Sequence, residues 1–526
     1  MSESKVSGYT AQVMILNIMG FIFGFVVQLL IAYYFGASKE VDAFVIANII
    51  PNMIYGFTNV MLMTSLIVVL TDYRIRYGEK RAWRFASSIF NISFLALSIA
   101  AAMIFFLSPV LAKIIAPGFD PGRIDLTVKM IRILSILVIF NGLSSITTGV
   151  LYTKKHFIAS SSFRSIINVI TIFSVVLLSV KMRIFSWAFG VVLGAGIALL
   201  IQMIVILKDR ADYNHRLSLD YKGIKKLLVI SYPLIITSLL FYFNKYVSQA
   251  IASTQQEGDV AILNYAFLIV SFPVSFFGGS IATAIFPSLT EHNARKNKEN
   301  QRVLLTSSIS ILTFILLPLT SIFIVLRVLI IKLFLEYGMF SKEITATTAP
   351  VLLFYSVGIL FFGIELITGQ TFYSIGKMKM RSILLGLTFI INIALSFLLV
   401  GPFSIKGLAA ATTIAYMITV PLSVYILYRC LDIGFKELLV LLSKTILASA
   451  FMGGVIFMGL KLFLTLGLDS RVYAGAAFIM LIAIGIGSYL LFARMIRLKE
   501  MYTTNEIIRN LLSRVDIIKK GAEKDG

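Results

Sequence analysis

Several groups of polar residues stand inside long apolar stretches of this 526-residue chain, and they are of kinds that bind rather than cleave. Asn48, Asn52, Tyr55 and Asn59 recur at helical spacing and form a polar stripe. Asn17, Gly24 and Gln28 share one face of the preceding stretch, and Asn244, Lys245, Ser248 and Gln249 cluster near the end of a later one. Glu365 lies between Gly358 and Gly369. A polar group in hydrocarbon costs free energy unless protein or water faces it. A single Asn or Ser is accounted for by hydrogen bonding between helices. A whole stripe, and ionisable groups such as Lys245 and Glu365, point instead to a hydrated central cavity.

The chemistry of bond breaking has few candidates. No G-x-x-x-x-G-K-[ST] is present, so no phosphate-cradling loop is expected. The three histidines, His156, His215 and His292, fall in loops, and no G-x-S-x-G elbow occurs. Cys430 is alone, which excludes an internal disulfide and a cysteine-built metal site. These residues suggest no enzyme, no metal and no cofactor.

The elements that must carry the polar groups follow from composition. The chain is 58% hydrophobic and 14% charged, whereas soluble domains carry about a quarter charged residues. Apolar runs long enough to span a bilayer lie at roughly 12–34, 43–70, 84–106, 126–152, 157–180, 184–207, 224–252, 258–285, 303–326, 344–373, 381–400, 404–429, 440–463 and 472–494. The expectation is an all-α integral membrane protein of about fourteen helices. The start, MSESKVSGYTAQ, has no A-x-A-like cleavage site and reads as the approach to a retained first helix.

Net charge is +22, from 47 Lys+Arg against 25 Asp+Glu. The excess falls on alternate loops: Arg74, Arg76, Lys80, Arg81 and Arg84; Lys154 and Lys155; the 208–226 segment; Arg295 to Arg302; Lys377 to Arg381; and Arg429 to Lys444. The 253–260 loop has no basic residue. This is the positive-inside pattern with both termini cytoplasmic. The charge is therefore topological, and nucleic acid is not an expected partner. Beyond Arg494, the residues Ile507, Ile508, Leu511, Leu512, Val515 and Ile518 share one helical face. That predicts an amphipathic helix on the inner leaflet or a solvated helix packed on a loop.

A weak repeat is also visible. Pro51 and Gly56 recur as Pro273 and Gly278, 222 residues on, and Arg164-Ser165-Ile166 recurs as Arg381-Ser382-Ile383, 217 residues on. Six helices separate the copies, so two parallel six-helix lobes are expected, with the last two helices outside the repeat. Pro51, Pro233, Pro273 and Pro421 predict bent spans, a geometry suited to rocking lobes.

FGASKEVDAFVIANIIPN (Phe35 to Asn52), IAPGFD (Ile115 to Asp120), AIFPSLTEH (Ala284 to His292) and FYSIGKMKM (Phe372 to Met380) resemble motifs of the lipid II flippase family, MurJ or MviN. The resemblance covers nearly the whole chain. It implies the multidrug/oligosaccharidyl-lipid/polysaccharide exporter fold, with lobes 1–210 and 211–430 around a cavity, a lipid-accommodating pair at 431–495 and a cytoplasmic tail at 496–526. It also implies transport of a polyprenyl-diphosphate-linked saccharide across the inner membrane. Coupling to membrane potential or an ion gradient, and envelope-synthesis enzymes as partners, come with that expectation. Asp42, Gly24, Pro51 and Asn52 keep the family pattern. Phe21, Val27, Tyr55 and Leu268 stand where the family places arginines, and Gln28 where it places an acid. A diphosphate clamp of guanidinium groups is thus missing. Lys245 is expected to meet the diphosphate instead, with Glu365 as a proton- or cation-responsive group. A small-cation exporter of the same superfold and a non-transporting envelope-synthesis protein are the alternative readings.

Overall fold

The computed structural model describes residues 3–154, 156–208, 221–466 and 470–498. Among these residues every regular element is helical. Twelve helices are long and apolar enough to cross a membrane, and fourteen if each of two bent pairs is one span. A bilayer permits this solution because a helix satisfies its own backbone polar groups. In chain order the spans are α1 Glu3–Phe35, α2 Lys39–Tyr77, α3 Glu79–Ile115, α4 Pro121–Thr153, α5 Phe163–Met182, α6 Phe185–Lys208 and α7 Tyr221–Ala252. They continue as α8 Asp259–Ala294, α9 Lys298–Phe334, α10 Lys342–Val357 with Ile359–Ser374, α11 Met378–Phe403, α12 Ile405–Leu431, α13 Lys436–Thr465 and α14 Arg471–Met495. The predicted tail helix, and His215 with its loop, lie outside the described residues.

The irregularities in these helices have local causes. α7 bends by 43° between Tyr232 and Ile235, where Pro233 stands in the sequence, and α10 bends by 45° at Gly358. Proline cannot donate the helix hydrogen bond, and glycine tolerates the break. α2 is interrupted at Asn48 and passes into one π-helical stretch at Asn59–Thr64. α8 has such a stretch at Val274–Gly279, directly after Pro273. Both helices of the Pro/Gly pair thus contain a wide turn, a feature common at functional positions.

Two compact units are present. The first comprises Met1–Leu268, Phe334–Val351 and Met378–Ala415; the second comprises Ile269–Leu333, Leu352–Lys377 and Tyr416–Gly526. Within the first, α5 is tied to α1 by Ser165 donating to the Leu16 carbonyl at 3.1 Å and Asn168 to the Gly20 carbonyl at 2.9 Å. α11 is tied to α7 in the same manner, by Thr237 and Ser382 at 2.9 Å and by Asn392 donating to Asn244 at 2.9 Å. Buried Gln202 of α6 joins Ser144, Thr147 and Thr148 of α4 within 3.0 Å, which is hydrogen-bonding glue between spans. Within the second unit, Gly278 packs against the Gly363 backbone, and Tyr489 donates to the Phe314 carbonyl at 2.9 Å.

Candidate functional site

The chain between α1 and α2 turns at Gly36, whose φ of +59° favours glycine. Tyr265 donates to the Gly36 carbonyl at 2.9 Å, and the Met339 N–H to the Tyr33 carbonyl at 2.9 Å. One turn into α2, fully buried Asp42 accepts the N–H of Gly258 at 2.7 Å and that of Ala261 at 2.8 Å. Gly258 stands immediately before α8 and Ala261 in its first turn, where the amides have no helical carbonyl to receive them. The positive end of the helix dipole favours a carboxylate there. Gly258 has φ +89°, and a Cβ on it would overlap the Ala37 carbonyl oxygen, so the two chains meet at backbone distance.

Arg123 of α4 completes this end. Its guanidinium is 4.0 Å from Asp42, pairs with Asp120 and lies 4.7 Å from the Phe119 ring centre. Asp120 caps α4 through the amides of Gly122 and Arg123. The hydrogen bond from Arg123 holds the Asp120 carboxyl below the usual carboxylate range. Gly118 approaches the backbone of Ser253 and Thr254 so closely that no side chain would fit. The FGASKEVDAF and IAPGFD segments are thus brought to one place, around the start of α8.

Midway along α2 the polar stripe meets α7. Asn59 donates to the Tyr55 hydroxyl at 3.2 Å, and Asn52 lies near the buried Tyr246 hydroxyl. Tyr246 stacks with Tyr242 at 6.0 Å, and Tyr242 fills the space that a side chain on Gly56 would need. Asn48, Asn52, Tyr55 and Asn59 are all half-buried. The break at Asn48 and the wide turn from Asn59 interrupt the regular helical face implied by their spacing.

At its other end α2 is tied to α7 again. Lys226 donates to Asp72 at 2.8 Å, and Ser231 to Ser65 at 2.8 Å in a buried contact. Asp72 also holds Arg76 at 2.7 Å. Gly223 sits against Tyr73 and Phe85 with no room for a Cβ.

The remaining expected residues are dispersed. Asn17 is exposed on α1, and Gln28 is half-buried with its Oε1 lacking a hydrogen bond. Gln249 is buried, and its Oε1 also lacks one. Beside it Asn244, Ser248, Asn392, Ser396 and Thr412 form a buried network of amides and hydroxyls. The Lys245 side chain lies outside the described residues. Glu365 is 6% exposed in the second unit, where Thr368 lies 3.4 Å from its Oε2. No cluster of three or more His, Cys, Asp or Glu suited to a metal occurs among the described residues.

The pattern of a single span does not mark Arg123, Asp72 or Asn392, and it marks Lys226 only as one of the basic loop residues. Gly258 next to Asp259 was the available signal of a helix start that needs an acceptor. Its acceptor, Asp42, is 216 residues away.

These features define a polytopic α-helical membrane protein whose second span is tied at both ends, by carboxylates, to the helices that follow residue 220. A family model described as lipid II flippase MurJ matches residues 31–476. The chain belongs to that family. It is 28% identical over 440 residues to the probable lipid II flippase MurJ of Borreliella burgdorferi, covering 83% of this chain and 87% of that one. Its fold is similar to a structure titled lipid II flippase MurJ, inward closed conformation, with TM-score 0.77, 24% identity and coverage of 93% and 98%. It also resembles the inward-facing conformation of a multidrug resistance MATE family transporter of the MOP superfamily, with TM-score 0.69, 14% identity and coverage of 80% and 98%.

Proposed function

We propose that the protein moves a polyprenyl-diphosphate-linked saccharide, lipid II or a related cell-surface polysaccharide unit, from the inner to the outer leaflet by alternating access. The observation that carries the reading is the double tethering of α2. Asp42 receives two amides at the start of α8, those of Gly258 and Ala261, at one end, and Asp72 receives Lys226 of α7 at the other. The half-exposed Asp72–Lys226 pair breaks at modest cost, and the two bonds of Asp42, about 1.5–3 kcal/mol each, are of a size that a change of state can exchange. A cycle in which one tie opens while the other holds exposes the polar stripe of α2 to one side of the membrane at a time.

In this reading the Asp42 end faces outward and the Asp72 end, with its basic loops, faces the cytoplasm. The lobes are 1–210 and 211–430, the pair at 431–495 accommodates the polyprenyl chain, and both termini are cytoplasmic in the inner membrane. Membrane potential or an ion gradient drives the cycle, and no bond is made or broken. The partners are the bilayer, the lipid-linked saccharide and the enzymes that make and consume it. Asn48, Asn52, Tyr55 and Asn59 offer the saccharide hydrogen bonds. Lys245 meets the diphosphate, and Glu365 responds to a proton or cation.

The test is flipping in proteoliposomes of labelled lipid II, read by its accessibility to an external modifying enzyme. Wild-type protein is expected to move it, and Asp42→Ala to stop it. Native mass spectrometry of lipid retained by the purified protein identifies the saccharide. Unchanged flipping in Asp42→Ala, or no lipid-linked saccharide retained or moved, overturns the reading.

A further inference from the structure

Close to the Asp72 end, α3, α4 and α6 part around a slot that the gating scheme does not use. Its walls include Trp83, Phe90, Val150, Met203, Ile206 and Leu207, and its enclosed volume is about 60 Å³, a shallow apolar furrow on the side of the spans rather than a closed pocket. Trp83 is buried at its base and Leu207 is 60% exposed at its rim, so the slot opens sideways from the spans. A second recess shares Trp83, Ala86 and Val150 with it and is lined by Arg74, Glu79 and Lys154. The two form one amphiphilic groove, apolar along the helices and charged at the helix ends.

Among the described residues, the charged groups lining the mouth are two cations, Arg74 and Lys154, and one anion, Glu79. Glu79 pairs with Arg74 at 2.6 Å and with Lys154, so two cations share one carboxylate. The Lys154 ammonium also lies 5.1 Å from the Trp83 ring centre, which places a positive charge on the wall of the apolar slot. Lys80, Arg81 and Arg84 are exposed on the adjoining turn of α3. A soluble anion would answer the charge and leave the slot unfilled. A zwitterionic lipid would fill the slot and leave the charge unanswered.

We propose that this groove binds one anionic phospholipid of the inner leaflet, with its phosphate at Lys154 and Arg74 and one acyl chain against Trp83. Basic recesses between spans on the cytoplasmic side are suited to such head groups. The inference rests on the orientation given above but not on flippase activity, and its test reads binding alone.

The chain has two tryptophans, and Trp187 stacks on Phe44 at 3.6 Å elsewhere in the first unit. Trp187→Phe therefore leaves Trp83 as the sole indole. The full chain is placed in phosphatidylcholine vesicles containing either phosphatidylglycerol or phosphatidylcholine with brominated chains, and quenching is titrated. The glycerol lipid is expected to quench at about five-fold lower mole fraction, the scale of one basic charge at an anionic surface. Lys154→Gln should bring the two curves together, and Ala86→Phe, which fills the shared wall, should reduce quenching by both. Coincident curves with Lys154 present, or a preference that survives Lys154→Gln combined with Arg74→Gln, overturns the proposal. Should Trp187→Phe not fold, native mass spectrometry of the unmodified chain supplies the comparison. Equal retention of the two lipids would then overturn it.

Discussion

Asp42 is fully buried and accepts two backbone amides, with the Arg123 guanidinium 4.0 Å away. Hydrogen bonds to charged groups contribute about 1.5–3 kcal/mol each. Asp42→Ala leaves the Gly258 and Ala261 amides without their acceptor and removes the charge 4.0 Å from Arg123, so it should lower thermal stability as well as abolish flipping. Asp42→Asn keeps the shape and one good acceptor, and should retain the fold while flipping falls at least about ten-fold, the effect of one charge-assisted bond. Gly258→Ala tests the same place through the backbone. Its φ of +89° and the nearby Ala37 carbonyl make alanine cost about 1–3 kcal/mol. A thermal-melting comparison should show that loss with Asp42 unchanged.

At the scale of the element, α2 is a helix in pieces: a break at Asn48, a wide turn from Asn59, and a tie at each end. A rigid rod would have to pivot as a whole to release one tie, whereas a segmented helix can also flex at Asn48 or at Asn59–Thr64. The Ser65 and Ser231 hydroxyls, 2.8 Å apart and buried, offer a way to hold the Asp72 end shut. Ser65→Cys with Ser231→Cys, in a Cys430→Ala background, should form a disulfide on oxidation that stops flipping, with recovery on reduction. Continued flipping by the fully cross-linked protein would show that this end does not open during transport. Asp72→Asn weakens the tie to Lys226 and should make Ser65→Cys more reactive to cytoplasmic thiol reagents than in the otherwise unchanged chain.

For the whole molecule, the basic loops predict the orientation, and the orientation decides which tie is the outer one. A cysteine at Gln256 in the Cys430→Ala background should react with an impermeant maleimide on intact cells. One at Lys80 should react only after permeabilisation. The reverse pattern would exchange the two gates and move the proposed lipid groove to the outer leaflet. The compact units also take segments from distant parts of the chain, so neither is a continuous stretch that could be expressed to test its half of the mechanism.

What the sequence by itself determined is what depends on composition and local periodicity. Fourteen apolar runs of spanning length required helices, because a bilayer admits no unpaired backbone. Basic loops set the expected orientation, and Pro233 and Pro273 foretold a bend and an irregular turn. The polar stripe was legible as a stripe but not as a surface meeting Tyr242 and Tyr246, because a period along one helix says nothing of the helix opposite. The family motif marked Asp42, but only the tertiary structure showed that its acceptor oxygens serve the start of α8. Asp72 with Lys226, and Arg74 with Lys154 around Glu79, look in sequence like ordinary loop charges. Their roles come from pairings across up to 154 residues, and such contacts are decided by the packing of whole spans, which no local pattern encodes.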